Sequence, residues 1–108
     1  MRADSAERRA ALPSGVYFVQ SGAFVKIGHA SDVVQRVAQA GHAWNPHEVT
    51  PLGWLPAPDD RAAFQLERRL HIQFAAHRYR CEWFHAHESL LAFIVAHAQP
   101  WPTPEPRG

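Results

Sequence analysis

Two short runs of β-branched and aromatic residues flank Ser21-Gly22, and they limit the fold more than anything else in the chain. They are Val16-Tyr17-Phe18-Val19 and Ala23-Phe24-Val25-Lys26-Ile27-Gly28. Pleated strands favour such side chains, and two runs around a tight glycine-containing turn predict a β-hairpin. Pro13-Ser14-Gly15 closes off the polar, Ala-rich segment before it. Facing strands bring Tyr17 and Lys26 close together at the end of the hairpin away from the turn.

The rest of the chain supplies partners for that hairpin. Ser31 or Asp32 is placed to cap a helix in which Val33, Val34, Val37 and Ala38 recur at helical spacing up to Gly41. Val49 to Leu55 alternates as a third strand, and Pro51, which lacks an N–H to donate, places it at an edge or bulge. Asp59 or Asp60 caps a long helix over about 60–78, with Ala63, Leu66, Leu70, Phe74 and His77 as its buried stripe. Glu82-Trp83-Phe84 reads as a short extended element, its two aromatics as core. A last helix follows from His87 to His97, with Leu90, Leu91, Phe93 and Ile94 facing inward. The expected architecture is α+β: a small three-stranded antiparallel sheet flanked by helices.

A chain of 108 residues has room for one such core. Hydrophobic content of 46% with 19% charged residues excludes a disordered chain. The expected organisation is an N-terminal extension (1–13), a folded domain (14–98) and a Pro-rich, polyproline-like or disordered tail (99–108). Cys81 is the single cysteine, so no intrachain disulfide and no Cys-based zinc site forms, as suits a reducing cytoplasm. No apolar run approaches membrane-spanning length, and the first residues have no apolar stretch of the kind a secretory signal carries.

Charge type says more than charge balance. The formal net charge is only +1, but ten of the eleven basic residues are arginine and Lys26 is the sole lysine, inside a hydrophobic run. Arginine offers a planar fork matched to phosphate, whereas a buried lysine is a point charge whose pKa moves readily. Arg36 stands among apolar neighbours on the first helix, one turn after the hairpin, within reach of a phosphate at the sheet edge. Glu67 and His71, at i and i+4, share a face of the long helix. A carboxylate there suits a hard divalent cation, and a histidine beside it suits orientation or proton transfer. Taken singly, a strand tyrosine is commonly packing, a strand lysine a snorkelling side chain, and a helical arginine or glutamate a solvated charge. Eight histidines, and His85-Ala86-His87 in particular, raise a zinc site as another possibility, but that pair falls at a loop-to-helix junction where its rings do not face one way.

In combination these pieces resemble the GIY-YIG nuclease superfamily. The sequence Gly15-Val16-Tyr17, then Lys26-Ile27-Gly28, then Arg36, Glu67 and Glu82-Trp83-Phe84 follows its order across residues 15 to about 95. The similarity is greatest to the branch of phage and bacterial proteins and fungal meiotically up-regulated proteins. In that branch the second motif commonly reads Lys-Ile-Gly, a Ser/Thr-x-Asp-type cap leads to the helical arginine, and a Glu-x-x-x-His helix runs into Glu-Trp-Phe. Lys26 replaces the second motif tyrosine of better-known members, the Gln39–Pro46 segment is longer than usual, and Cys81 stands where the branch often has glycine.

The resemblance implies hydrolysis of DNA phosphodiester bonds with one divalent metal, Mg²⁺ or another such as Mn²⁺. Glu67 would be its protein ligand, Tyr17 would orient or deprotonate the attacking water, and Lys26 would ease formation of the phenolate or contact phosphate. Arg36 would stabilise transition-state charge, and His71 would assist proton transfer or position Glu67. Arg68, Arg69, Arg78 and Arg80 are candidate phosphate contacts, and Trp44 a candidate base-stacking residue. The role of Glu82 is open between a buried acceptor and a second polar group of the site. The competing expectation is a non-catalytic nucleic-acid-binding or protein-interaction module on the same fold.

Overall fold

The computed structural model describes residues 13–44 and 49–101. Strands β1 (Gly15–Ser21) and β2 (Phe24–Ala30) form the expected hairpin, helix α1 (Val33–Trp44) follows, and β3 (Val49–Pro56) leads into helix α2 (Asp60–Gln73). A single 3₁₀ turn (Ala75–His77) then gives way to β4 (Arg78–Arg80), β5 (Trp83–His85) and helix α3 (Glu88–His97).

The sheet has five strands in the order β3-β1-β2-β5-β4, which corrects the three-stranded expectation. The cause lies at the end of α2. Phe74 caps the helix there, its N–H turning back to Leu70 and Ile72, and the chain leaves through the 3₁₀ turn. Helical spacing persists in the sequence to His77 although the helix does not, so Arg78 begins a strand where a helix end was expected. The β4–β5 turn depends on Cys81, which adopts φ 53°, the left-handed conformation that glycine takes most easily. The Arg78 Nε donates to the Cys81 carbonyl oxygen at 2.9 Å and closes the turn.

Sheet register assigns side chains to two faces. Antiparallel partners share a face, so Tyr17↔Gly28 and Val19↔Lys26 put Gly15, Tyr17, Val19, Lys26 and Gly28 on one side. Helix α1 covers part of that side through Val33 and Val37, with Trp54 and Trp101 beside them. The opposite face holds Val16, Phe18, Val25, Ile27 and Phe84, packed against Leu70 and Phe74 of the α2 segment and Leu90 and Ile94 of α3. Pro51 does lie on an edge strand, and the β1–β3 register slips between Phe18 and Val19 beside it.

Aspartate side chains cap the starts of the first two helices. Asp59 accepts from Ala62 N at 2.8 Å and Asp32 from Gln35 N at 3.2 Å, each satisfying a first-turn N–H. The chain beyond α3 stays docked as far as it is described: Gln99 exchanges backbone hydrogen bonds with Trp54, and Trp54 Nε1 donates to Pro100 O at 3.1 Å. No helix among the described residues is long and apolar enough to cross a membrane.

Candidate active site

Both motif glycines are explained by close approach. A β-carbon on Gly15 would sit 2.1 Å from the Leu55 carbonyl oxygen of β3. One on Gly28 would sit 2.4 Å from both Cζ and Oη of Tyr17, whose ring lies flat across the strand at that point. Gly28 is thus the floor on which the tyrosine rests, and Tyr17 is 1% exposed.

Tyr17 and Lys26 are not cross-strand partners, but they share a face, and the lysine Nζ stands 5.9 Å from the centre of the tyrosine ring. Lys26 is buried and its Nζ lies 3.5 Å from Glu82 Oε2. Burial lowers the lysine pKa from its ordinary value, with Arg36 acting the same way and Glu82 and Glu67 opposing. Burial raises the Tyr17 hydroxyl to about 12, aided by Glu82 and Glu67 and opposed by the charge and hydrogen-bond donation of Arg36. Tyr17 is therefore a phenol at neutral pH, so burial outweighs the cations around it.

Glu67 reaches this group from the other side of the sheet. The β2–β5 ladder ends at Lys26↔Trp83, with Ile27 N donating to Glu82 O at 3.0 Å. Past that point no strand among the described residues pairs with β2 on that side, and side chains from both faces meet around it. Glu67 is buried on α2, with Oε2 held by His29 Nδ1 and Oε1 3.6 Å from His71 Nε2. His71 Nε2 also lies 2.9 Å from the Ile27 carbonyl oxygen. A carbonyl only accepts, so that nitrogen carries a proton. Burial raises the Glu67 pKa; the His29 hydrogen bond opposes this, while a hydrogen bond and the charge of Glu82 reinforce it.

Five segments thus bring Tyr17, Lys26, Arg36, Glu67 and Glu82 within electrostatic reach of one another. Sequence reasoning did not single out His29. Its signal was the alternation Val25, Ile27, His29, which sends an imidazole to the face that α2 covers. Glu82, left open by the sequence, is the carboxylate that joins Lys26 to Glu67.

The basic residues separate. Arg68 and Arg78, with His71, Ile72 and Ala75, line a groove of about 440 Å³ on the α2 side. Arg80 faces the opposite side of the sheet, beside Phe24, Tyr79 and Trp83. Arg69 is exposed on α2 and lines neither hollow. The Trp44 side chain lies outside the described residues.

Among the described residues no three His, Cys, Asp or Glu side chains form a metal-holding group. Mg²⁺ is commonly held by one or two carboxylates with water and phosphate oxygens completing its shell. Glu67 and Glu82 are such a pair. Glu82 already drives Glu67 toward its protonated form, the repulsion that a bound cation relieves.

Comparison with known families matches residues 14–98 to the T5orf172 domain. The chain belongs to the T5orf172 domain family, whose members are nuclease-associated domains. The matched span contains every residue of the cluster just described. No curated protein and no solved structure matches the chain.

Proposed function

We propose that this T5orf172 domain is a metal-dependent endonuclease of GIY-YIG type that hydrolyses phosphodiester bonds in DNA, acting in the cytoplasm. One observation carries the reading: a buried tyrosine, a buried lysine, an arginine and two carboxylates, supplied by five separate segments, meet at one open strand edge. Packing alone does not call for that; burying an uncompensated charge costs roughly several kcal/mol, and here Lys26 and Glu67 are both buried.

Glu67, with Glu82 beside it, would hold Mg²⁺ or Mn²⁺, which when bound supplies Lewis-acid polarisation of the phosphate and charge neutralisation at the leaving oxygen. Tyr17, protonated at neutral pH, orients the attacking water through its hydroxyl, and the water's proton passes to solvent as the new P–O bond forms. Arg36, exposed at one end of the group, places its fork on the non-bridging oxygens, where charge grows in the transition state. Lys26 adds a point charge from the sheet floor. His71, whose Nε2–H is directed to Ile27 O, positions Glu67 and does not relay protons. The departing oxygen takes its proton from solvent. Arg68 and Arg78 carry the flanking backbone in their groove, with Arg69 and Arg80 as outlying contacts.

The contacts of Glu67 favour a second reading. Both its oxygens already face histidines, as in a structural carboxylate, and the domain would then be a non-catalytic nucleic-acid-binding or protein-interaction module. Cleavage of plasmid and branched DNA with Mg²⁺ separates the two, using the parent, Glu67→Ala and Arg36→Ala. The nuclease reading expects cleavage by the parent and loss in both variants. Equal activity in all three, or none in the parent across these substrates, favours the second.

A further inference from the structure

The sheet face that carries Tyr17 and Lys26 does not end at Lys26. Register continues it across β5 and β4: Lys26 pairs with Trp83, Phe24 with His85, and Trp83 with Arg80, so Phe24, Trp83, His85 and Arg80 share the Tyr17 side. Tyr79 falls at the irregularity between Arg78 and Arg80, and its ring lies over Phe24 with centroids 4.4 Å apart and planes 32° from parallel. His85 is tilted 44° to Phe24 at 5.4 Å and stands edge-on to Tyr79 at 5.5 Å.

Tyr79 is 51% exposed, unusual for a large ring already stacked on a neighbour. Helix α1 covers the Tyr17 end of this face, but the aromatic end borders an open hollow of about 260 Å³ lined by Ser21, Phe24, Tyr79, Arg80 and Trp83. That volume falls below the ~300–1,000 Å³ of a drug-sized pocket and suits one planar ring system. An arginine fork on its rim adds a contact for phosphate or for the face of a π-system.

We propose that this shelf stacks one unpaired nucleobase next to the reacting phosphate. This rests on the nucleic-acid reading of the preceding subsection. Phe24 and Lys26 are two residues apart on one face of one strand, about 7 Å, so a base on the shelf and a phosphate at Lys26 belong to neighbouring nucleotides. Within a duplex each base has both faces covered by its neighbours, so only a single-stranded, frayed or branch-point base offers a face to Tyr79. The shelf therefore selects substrates with an unpaired nucleotide beside the cleavage point, and it does so by stacking, without base-edge readout.

The test is anisotropy binding in EDTA, where cleavage is prevented, with a labelled single-stranded oligonucleotide, the same strand carrying one abasic position at successive sites, and a blunt duplex. Stacking on an aromatic contributes ~1–3 kcal/mol per base, so Tyr79→Ala is expected to bind the single strand about 5- to 150-fold more weakly. Tyr79→Phe, which keeps the ring, is expected to bind as the parent does. One abasic position weakens the parent by the same factor and leaves Tyr79→Ala indifferent, while duplex affinity changes less than about twofold. The shelf is overturned by a Tyr79→Ala affinity within twofold of the parent, by a parent insensitive to every abasic position or unable to bind the strand, or by equal losses on strand and duplex. The two claims fail separately. Stacking signatures without Mg²⁺-dependent cleavage retain the shelf and remove the nuclease; cleavage with an unchanged Tyr79→Ala removes only the shelf.

Discussion

Gly28→Ala places one methyl group where the Tyr17 ring now rests. The added carbon would lie 2.4 Å from Cζ and Oη, and ordinary contact begins at 3.4 Å, so the ring must move by about 1 Å. The floor of the strand cannot yield, because Gly28 is bonded into the sheet opposite Tyr17 itself. Overpacking of this kind costs ~1–3 kcal/mol, which a domain with the usual ~5–15 kcal/mol of stability tolerates. Activity suffers more, since a misplacement of about 1 Å in a catalytic group lowers rate on the order of 100-fold. The expected result is a variant that unfolds in urea at a modestly lower midpoint but cleaves DNA about 100-fold more slowly at saturating substrate. Gly15→Ala is the contrast: its methyl meets a backbone carbonyl at 2.1 Å, which cannot rotate away, so that variant loses stability first. A Gly28→Ala protein with parental turnover would refute the idea that Gly28 exists to seat Tyr17.

Three further outcomes are expected. The Tyr17 hydroxyl is raised in the fold from 10.0 to about 12; the stability this implies is intact below about pH 10 and fades as pH climbs toward 12. At pH 11 the loss is about 1.4 kcal/mol, and urea melts should show it in the parent and not in Tyr17→Phe. Cys81→Gly removes a left-handed strain of ~1–2 kcal/mol, partly offset by the ~0.5–1 kcal/mol entropy cost of glycine; a small rise in melting temperature is expected, and a fall would contradict the turn geometry. Arg68→Ala should weaken binding evenly across sequences and reduce the slope of log affinity against log salt by about 0.9, whereas an unchanged slope would remove Arg68 from the backbone groove.

How far the sequence disclosed this molecule depends on the range of the interactions involved. The β1–β2 hairpin was legible because its turn and both its strands are local. The Asp59 cap was legible for the same reason, its acceptor and donor being three residues apart. Strand β4 was hidden because it is three residues long and because Phe74 and His77 extend a helical spacing past the real helix end, while the extended element read at Glu82-Trp83-Phe84 is β5, whose pairing with β2 was not legible. The motif positions Tyr17, Lys26, Arg36 and Glu67 were visible, but what joins them was not. The Lys26–Glu82 ion pair and the His29–Glu67 contact span the sheet edge, and only a register fixed by tertiary packing brings them together. The aromatic shelf was invisible for the same reason: Phe24 and Tyr79 are remote in the chain and meet only because β5 pairs with β2.

The central claim is that Glu67 serves the reaction and not merely the fold. Glu67→Gln keeps the shape and the hydrogen-bonding oxygen while removing the charge that would hold a divalent cation. Single-turnover DNA cleavage by this variant, at saturating protein and with Mg²⁺ present, is the most direct measurement. The expected result is cleavage reduced to background with DNA affinity within about twofold of the parent. Cleavage at the parental rate would contradict the account.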